Sequence, residues 1–295
     1  MPNWLPTWLT ARFEASLPGR KAAGLRFWKE AVLISVVYLA YSFVRNEFGS
    51  SAVEPSVAAR NADRIIDIED AMGLYIEADI QAAFIDWTAF IQFWNLFYGA
   101  FHFLVTFVAL IWMYHRDPGR YRFWRRTGLT ATTAALIGYA AFPLMPPRLL
   151  GNCGPYGACR PNSPYIDTVS DVGGIWSFES SGMEAISNQY AAMPSLQIGW
   201  ALWCALLLVP RLRTRWAKGL AAAYPFLTLF AIVVTANHYW IDGLGGIAVV
   251  ALGWAASTAW ERWWVEPRRS ATGEEPPVGP PESGPIRIGL GRIRQ

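Results

Sequence analysis

The chain has 295 residues, of which 53% are hydrophobic and only 16% charged, with 16 tryptophans and a formal net charge of +3. So apolar a composition excludes an ordinary soluble domain and points to a membrane protein. The mild net charge conceals a strong segregation of Lys and Arg along the chain, and that segregation bears on topology.

Residues 1–26 read as a polar, basic leader with Pro2, Pro6 and Pro18 and no evident cleavable signal. An apolar run at 27–44 is barely of span length, because a hydrocarbon core of about 30 Å needs about 20 helical residues. Lys29 and Glu30 can snorkel at its inner end. Charges return over 45–86, where Ala62, Ile65, Ile66, Ile68, Glu69, Met72 and Leu74 predict an amphipathic, interfacial or re-entrant helix. From Trp87 to Tyr114 no Asp, Glu, Lys or Arg occurs over 28 residues, which predicts a long, tilted span with Gln92, Asn95 and His102 as internal polar groups.

The basic block Arg116, Arg120, Arg122, Arg125 and Arg126 precedes an expected third span at 127–145, stopped by Pro146-Pro147. A polar loop rich in Gly, Pro, Asn and Ser follows at 146–190. Further spans are expected at 191–209, 219–236 and 238–260, with the basic turn Arg211, Arg213, Arg215 and Lys218 after the first of them. Residues 263–295, rich in Pro, Gly and Glu, read as a disordered tail. The fold class is therefore all-α, an integral membrane bundle of about six transmembrane helices occupying residues 27–262.

Of the 25 Lys and Arg residues, all but Arg45, Arg60, Arg64, Arg148 and Arg160 fall on one side of this scheme. The positive-inside rule then makes both termini cytoplasmic and turns the 146–190 loop outward. On that side the compartment is oxidising, and Cys153-Gly-Pro-Tyr-Gly-Ala-Cys159 is a plausible disulfide loop. No nearby His completes a metal site. Cys204, within a span, reads as a packing residue.

Three motifs converge on the outer face: Phe142-Pro-Leu-Met-Pro-Pro-Arg148, Asn188-Gln-Tyr190-Ala-Ala-Met-Pro194-Ser195-Leu-Gln197, and Thr235-Ala-Asn-His238-Tyr-Trp-Ile-Asp242. On a helix, His238 and Asp242 share one face a turn apart, so the carboxylate can hold one ring nitrogen and aim the other at a substrate. A structural histidine at a helix start is the bland reading, but an ionisable pair at the edge of a membrane span reads by default as functional. Arg148 offers a planar fork of donors, and Pro194-Ser195 opens a helix whose free N–H groups favour an anion. The ligand this chemistry suggests is a phosphate.

This order of motifs on three successive outer helix ends resembles the phosphatidic acid phosphatase type 2 superfamily, and most closely its inositolphosphotransferase-like branch, typified by inositolphosphorylceramide synthase. The resemblance covers roughly residues 30–262. It implies that His238 attacks phosphorus to give a phosphohistidine, that Asp242 orients it, and that Arg148 and Ser195 hold phosphate oxygens, with Pro194, Asn188 and Tyr190 beside them. No metal or cofactor and no nucleic acid is implied; the partners are a lipid or polyprenyl phosphate and the bilayer of the cell membrane.

The sequence departs from the family at the general-acid position, where Gln197 stands in place of a histidine and cannot give up a proton. No Lys precedes the Pro-Pro-Arg motif and no Arg lies shortly before His238. Acid catalysis typically contributes about 10²–10⁴-fold, so a leaving group that is already a weak base, such as the phosphate of a diphosphate, is favoured. His102 is expected to lie too deep to replace the missing acid, and His115 on the wrong side. The leading expectation is an outward-facing lipid phosphatase or phosphotransferase. The alternatives are a terpene-forming enzyme that ionises a prenyl diphosphate, with aromatic side chains stabilising cations, and a non-catalytic lipid-phosphate binder.

Overall fold

The computed structural model describes residues 27–48, 52–172 and 188–267. The expected leader, residues 173–187 of the outer loop and the tail beyond residue 267 lie outside the described residues. Everything described is helix, turn or loop, with no strand among the described residues apart from a single bridge between Leu144 and Ala191. In chain order the helices are α1 (Phe27–Phe48), α2 (Pro55–Ala71), α3 (Glu77–Phe84), α4 (Thr88–Leu96), α5 (His102–Arg116), α6 (Pro118–Ala141), α7 (Thr168–Asp171), α8 (Leu196–Leu208), α9 (Arg215–Val234) and α10 (Trp240–Trp260).

Three helical stretches are long and apolar enough to cross a membrane: Thr88–Arg116, Arg215–Val234 and Trp240–Val265. The first is α4 and α5 joined by a five-residue π-turn, Phe97–Phe101. The helix α6 has the length but carries Arg120, Arg122, Arg125 and Arg126 in its first turns, and α8 is a shorter apolar helix. Two boundaries differ from expectation. The turn Glu261–Val265 carries α10 past residue 262. His238 lies before α10 rather than inside it, because the end of α9 folds back on itself.

That fold-back is set by the backbone. Ala236 takes a left-handed conformation with φ of 51°. The Ala236 N–H then donates to the Val233 carbonyl at 2.8 Å and the Asn237 N–H to the Ile232 carbonyl at 3.0 Å, closing the helix end. A side chain at positive φ is disfavoured by roughly 1 kcal/mol or more, so the surroundings must hold Ala236 there. It is fully buried, and its carbonyl accepts the Arg148 backbone N–H at 2.9 Å.

The membrane-length helices pack with α6 and α8 around a core that includes Trp94, Phe97, Trp124, Trp203 and Tyr224. Where α10 crosses α8, a Cβ on Gly246 would collide with the Ser195 carbonyl oxygen, so only glycine permits this approach. At one end of the bundle sit the ion pairs Arg211–Asp117 (2.9 Å), Arg126–Glu261 (3.1 Å) and Arg125–Glu30. The three motifs singled out in the sequence lie at the other end.

There α2 and α3 form a roof. Ala58, Ala62 and Ile65 of α2 pack on Leu144, Met145 and Tyr239, and the Asn61 amide donates to the Pro143 carbonyl at 2.8 Å. The apolar face expected of this segment is split, since Ala62 and Ile65 are buried while Ile68, Met72 and Leu74 stay exposed. The polar residues expected inside the long span anchor the 146–190 loop: Asn95 donates to the Thr168 carbonyl at 2.8 Å and Gln92 to the Val172 carbonyl at 3.4 Å.

Candidate active site

The fold-back after α9 drops His238 into the interior, where it is 2% exposed. Its Nδ1 lies 2.8 Å from the Ala192 carbonyl and 3.2 Å from Oδ2 of Asp242. Both partners are acceptors, so Nδ1 carries the proton and Nε2 keeps a free lone pair. The four-residue spacing therefore works across a turn into the first turn of α10. Asp242 Oδ2 also accepts the Tyr239 N–H at 3.1 Å, which fixes the carboxylate as well as the ring.

The start of α8 is tied to the same point. Ser195 donates its N–H to the Asp242 carbonyl at 3.0 Å, and its hydroxyl oxygen caps α8 by accepting the Ile198 N–H at 3.5 Å. The Ser195 hydroxyl donates to the side-chain carbonyl of Gln197 at 3.4 Å, which leaves the Gln197 amide N–H groups turned to the open space. The N–H groups of Leu196 and Gln197 in the first turn have no backbone acceptor, and both residues line the cavity described next.

A cavity of about 860 Å³ opens beside Nε2 of His238. Its polar end is lined by His238, Gln197, Arg148, Asp167, Asn188 and Asn237, and its long wall by residues such as Tyr98, Phe103, Phe107, Leu129 and Trp200. Along α6 the lining runs from Arg125 to Tyr139, or roughly 20 Å at 1.5 Å per residue.

Of the residues singled out in the sequence, His238, Gln197, Arg148 and Asn188 line this cavity, whereas Ser195, Pro194 and Tyr190 lie outside its lining. Ser195 is wholly buried and occupied with capping; Tyr190 donates its hydroxyl to the Tyr156 carbonyl at 3.0 Å. Arg148 is not a free clamp. Nη1 donates to Asp167 Oδ2 at 2.8 Å and Nη2 to Gln189 Oε1 at 2.6 Å, so the cation meets a carboxylate already. Asp167 and Gln189 were not legible as site residues, since nothing in the loop's sequence says that it folds back on Arg148. Cys153 and Cys159 are joined by a disulfide with Cα atoms 4.2 Å apart, at the rim of the same loop.

His102, expected to lie too deep to replace the acid, shares a cavity with His238. It is one turn from Tyr98, whose ring meets the His238 ring edge-on at 6.2 Å.

Behind the dyad two carboxyl groups cap α10. Glu77 accepts the Trp240 N–H at 2.9 Å and Glu69 accepts the Ile241 N–H at 3.2 Å. Both are fully buried. Burial, reinforced by the neighbouring Glu77, pushes Glu69 up to about 9, and burial also raises Glu77. Glu69 therefore keeps its proton at neutral pH. Burial likewise holds the Tyr239 hydroxyl well above its ordinary value.

The described residues thus combine helices of membrane-crossing length with an oriented imidazole at the polar end of a long apolar cavity. A sequence model of the PAP2 superfamily matches residues 63–256, and the chain belongs to that family. Membership points to phosphatase-type chemistry on phosphate esters, carried out as hydrolysis or transfer. No curated protein and no solved structure matches the chain.

Proposed function

We propose that this chain is a membrane lipid phosphatase or phosphotransferase that works on a lipid-linked phosphate or diphosphate at the outer face of the cell membrane through a phosphohistidine on His238. The observation that carries this reading is the pair of acceptors on Nδ1, which leaves Nε2 as a nucleophile at the polar end of a lipid-shaped cavity. Nε2 attacks phosphorus and the bond to the leaving oxygen breaks. Asp242 and the Ala192 carbonyl hold the Nδ1 proton while positive charge develops on the ring. The free N–H groups at the start of α8 and the guanidinium of Arg148 receive the phosphate oxygens. Ser195 contributes by holding that helix start against Asp242.

The cationic complement is thin, because Arg148 shares its charge with Asp167. A diphosphate, whose leaving phosphate is a weak base, suits Gln197 at the position of the family's acid. An inositolphosphotransferase-like reaction, with an alcohol rather than water as acceptor, belongs to the same reading.

The aromatic wall formed by Tyr98, Phe103, Phe107 and Trp200 favours one second reading, a terpene-forming enzyme in which the whole diphosphate departs from an allylic carbon. Incubation of the purified protein with a prenyl diphosphate carrying ³²P, followed by rapid quenching, separates the two. Label on His238, lost in His238→Ala, is expected. Hydrocarbon or prenol products with free diphosphate and no labelled protein would overturn the phosphoryl-transfer reading.

A further inference from the structure

The histidine on α5 is placed for a part in this chemistry that Gln197 cannot play. Nδ1 of His102 lies 2.8 Å from the Tyr98 carbonyl, an acceptor, so Nδ1 carries the proton. Its ring stacks on Trp200 of α8, centroids 5.7 Å apart and planes inclined by 29°. Trp200 is one turn beyond Gln197, so His102 packs beside the helix that carries Gln197, and all three line the cavity. Tyr98, on the same face of the long span as His102, meets His238. Nε2 of His102 has no partner among the described residues and is not enclosed by protein atoms, while the residue lines the cavity.

The π-turn Phe97–Phe101 lies between Tyr98 and His102. A wide turn of this kind shifts the helix register, and π-turns recur at functional sites. His102 follows this turn directly and is 8% exposed, whereas Phe103 and Leu104 beside it are more than half exposed.

We propose that His102 is the general base of the second half-reaction, the discharge of the phosphohistidine. The inference rests on the phosphohistidine reading of His238. Nε2 of His102 takes the proton of the acceptor hydroxyl, water or alcohol, as its oxygen bonds to phosphorus. The P–N bond breaks and its electron pair returns to Nε2 of His238. The imidazolium left on His102 gives its proton to the phosphate product or to water in the cavity. A bare Nε2 has no proton for the first half-reaction, which is why that half takes a leaving group that needs none. This division of labour lets a chain with Gln197 turn over.

The test follows label on the protein as it exists, purified in detergent with a ³²P-labelled prenyl diphosphate as probe. In His102→Gln, whose amide can keep the bond to Tyr98, His238 is expected to be labelled at near the wild-type rate but discharged about 10²–10⁴-fold more slowly. Adding Gln197→His to that variant should restore part of the discharge, an effect a packing role would not produce. Discharge at the wild-type rate in His102→Gln overturns the proposal. Absence of label on His238 in the wild type overturns the phosphohistidine reading itself, and the proposal falls with it, a distinguishable result. If His102→Gln does not fold, the single variant Gln197→His decides: unchanged discharge supports a base already in place, and a gain of tenfold or more overturns it.

Discussion

At the scale of single residues, the fate of one proton organises the site. His238 Nδ1 has two acceptors, and only one of them is charged. Where a carboxylate alone sets the tautomer, its amide replacement costs roughly 10⁴-fold in turnover. Here the Ala192 carbonyl continues to hold the Nδ1 proton in Asp242→Asn, so a smaller loss is expected, in turnover rather than in substrate affinity. Steady-state kinetics of Asp242→Asn beside His238→Ala measure it, and equal loss in the two would show that the carbonyl contributes nothing to orientation. The pairing was legible in the four-residue spacing. The Ala192 carbonyl was not, because it arrives from a loop 46 residues earlier in the chain.

Elements hold these residues by close contact. The crossing of α8 and α10 depends on Gly246, where a Cβ would press on the Ser195 carbonyl oxygen. Backbone cannot give way as a flexible side chain can, so Gly246→Ala should part the two helices and loosen the Ser195–Asp242 bond. Overpacking of this kind costs typically about 1–3 kcal/mol, and the expected result is a lower unfolding temperature in detergent together with lost turnover. Wild-type stability and activity in Gly246→Ala would show that the helices can slide.

The roof over α10 predicts a pH dependence. Glu69 is raised to about 9, chiefly by burial, above the ordinary carboxyl value it regains on unfolding. The folded state therefore keeps a proton that the unfolded chain releases, so stability is greatest in acid and falls as pH rises from about 4.5 towards 9. Glu69→Gln retains an oxygen for the Ile241 N–H and removes the ionisation. It should raise the unfolding temperature more at pH 9 than at pH 5. An equal shift at both values would mean that Glu69 does not hold the proton. The pattern from Ala62 to Leu74 within 45–86 predicted an amphipathic helix here, but which face is buried depends on loops that pack beneath it.

For the whole molecule, the ion pairs of the arginine-rich end and the polar mouth of the cavity lie at opposite ends of the bundle. If the positive-inside rule sets the orientation, a reporter fused after Arg122 should read cytoplasmic and one near Tyr165 external. The reverse pattern would turn the active site to the cytoplasm and remove the case for an outward lipid substrate.

Composition and hydropathy were enough for the helical, membrane-embedded class of this chain, because burial in lipid demands long apolar stretches with every backbone group bonded within the helix. Local spacing likewise marked the His238–Asp242 pair and the start of α8. Long-range packing decided the rest. Only the assembled bundle brings Asp167 onto Arg148 and ties the Ser195 N–H to the Asp242 carbonyl. Only the fold-back at Ala236 takes His238 out of the helix that its spacing suggested. The cavity that gathers His102 and His238 is a property of the space between helices, and its shape depends on contacts between residues far apart in the chain.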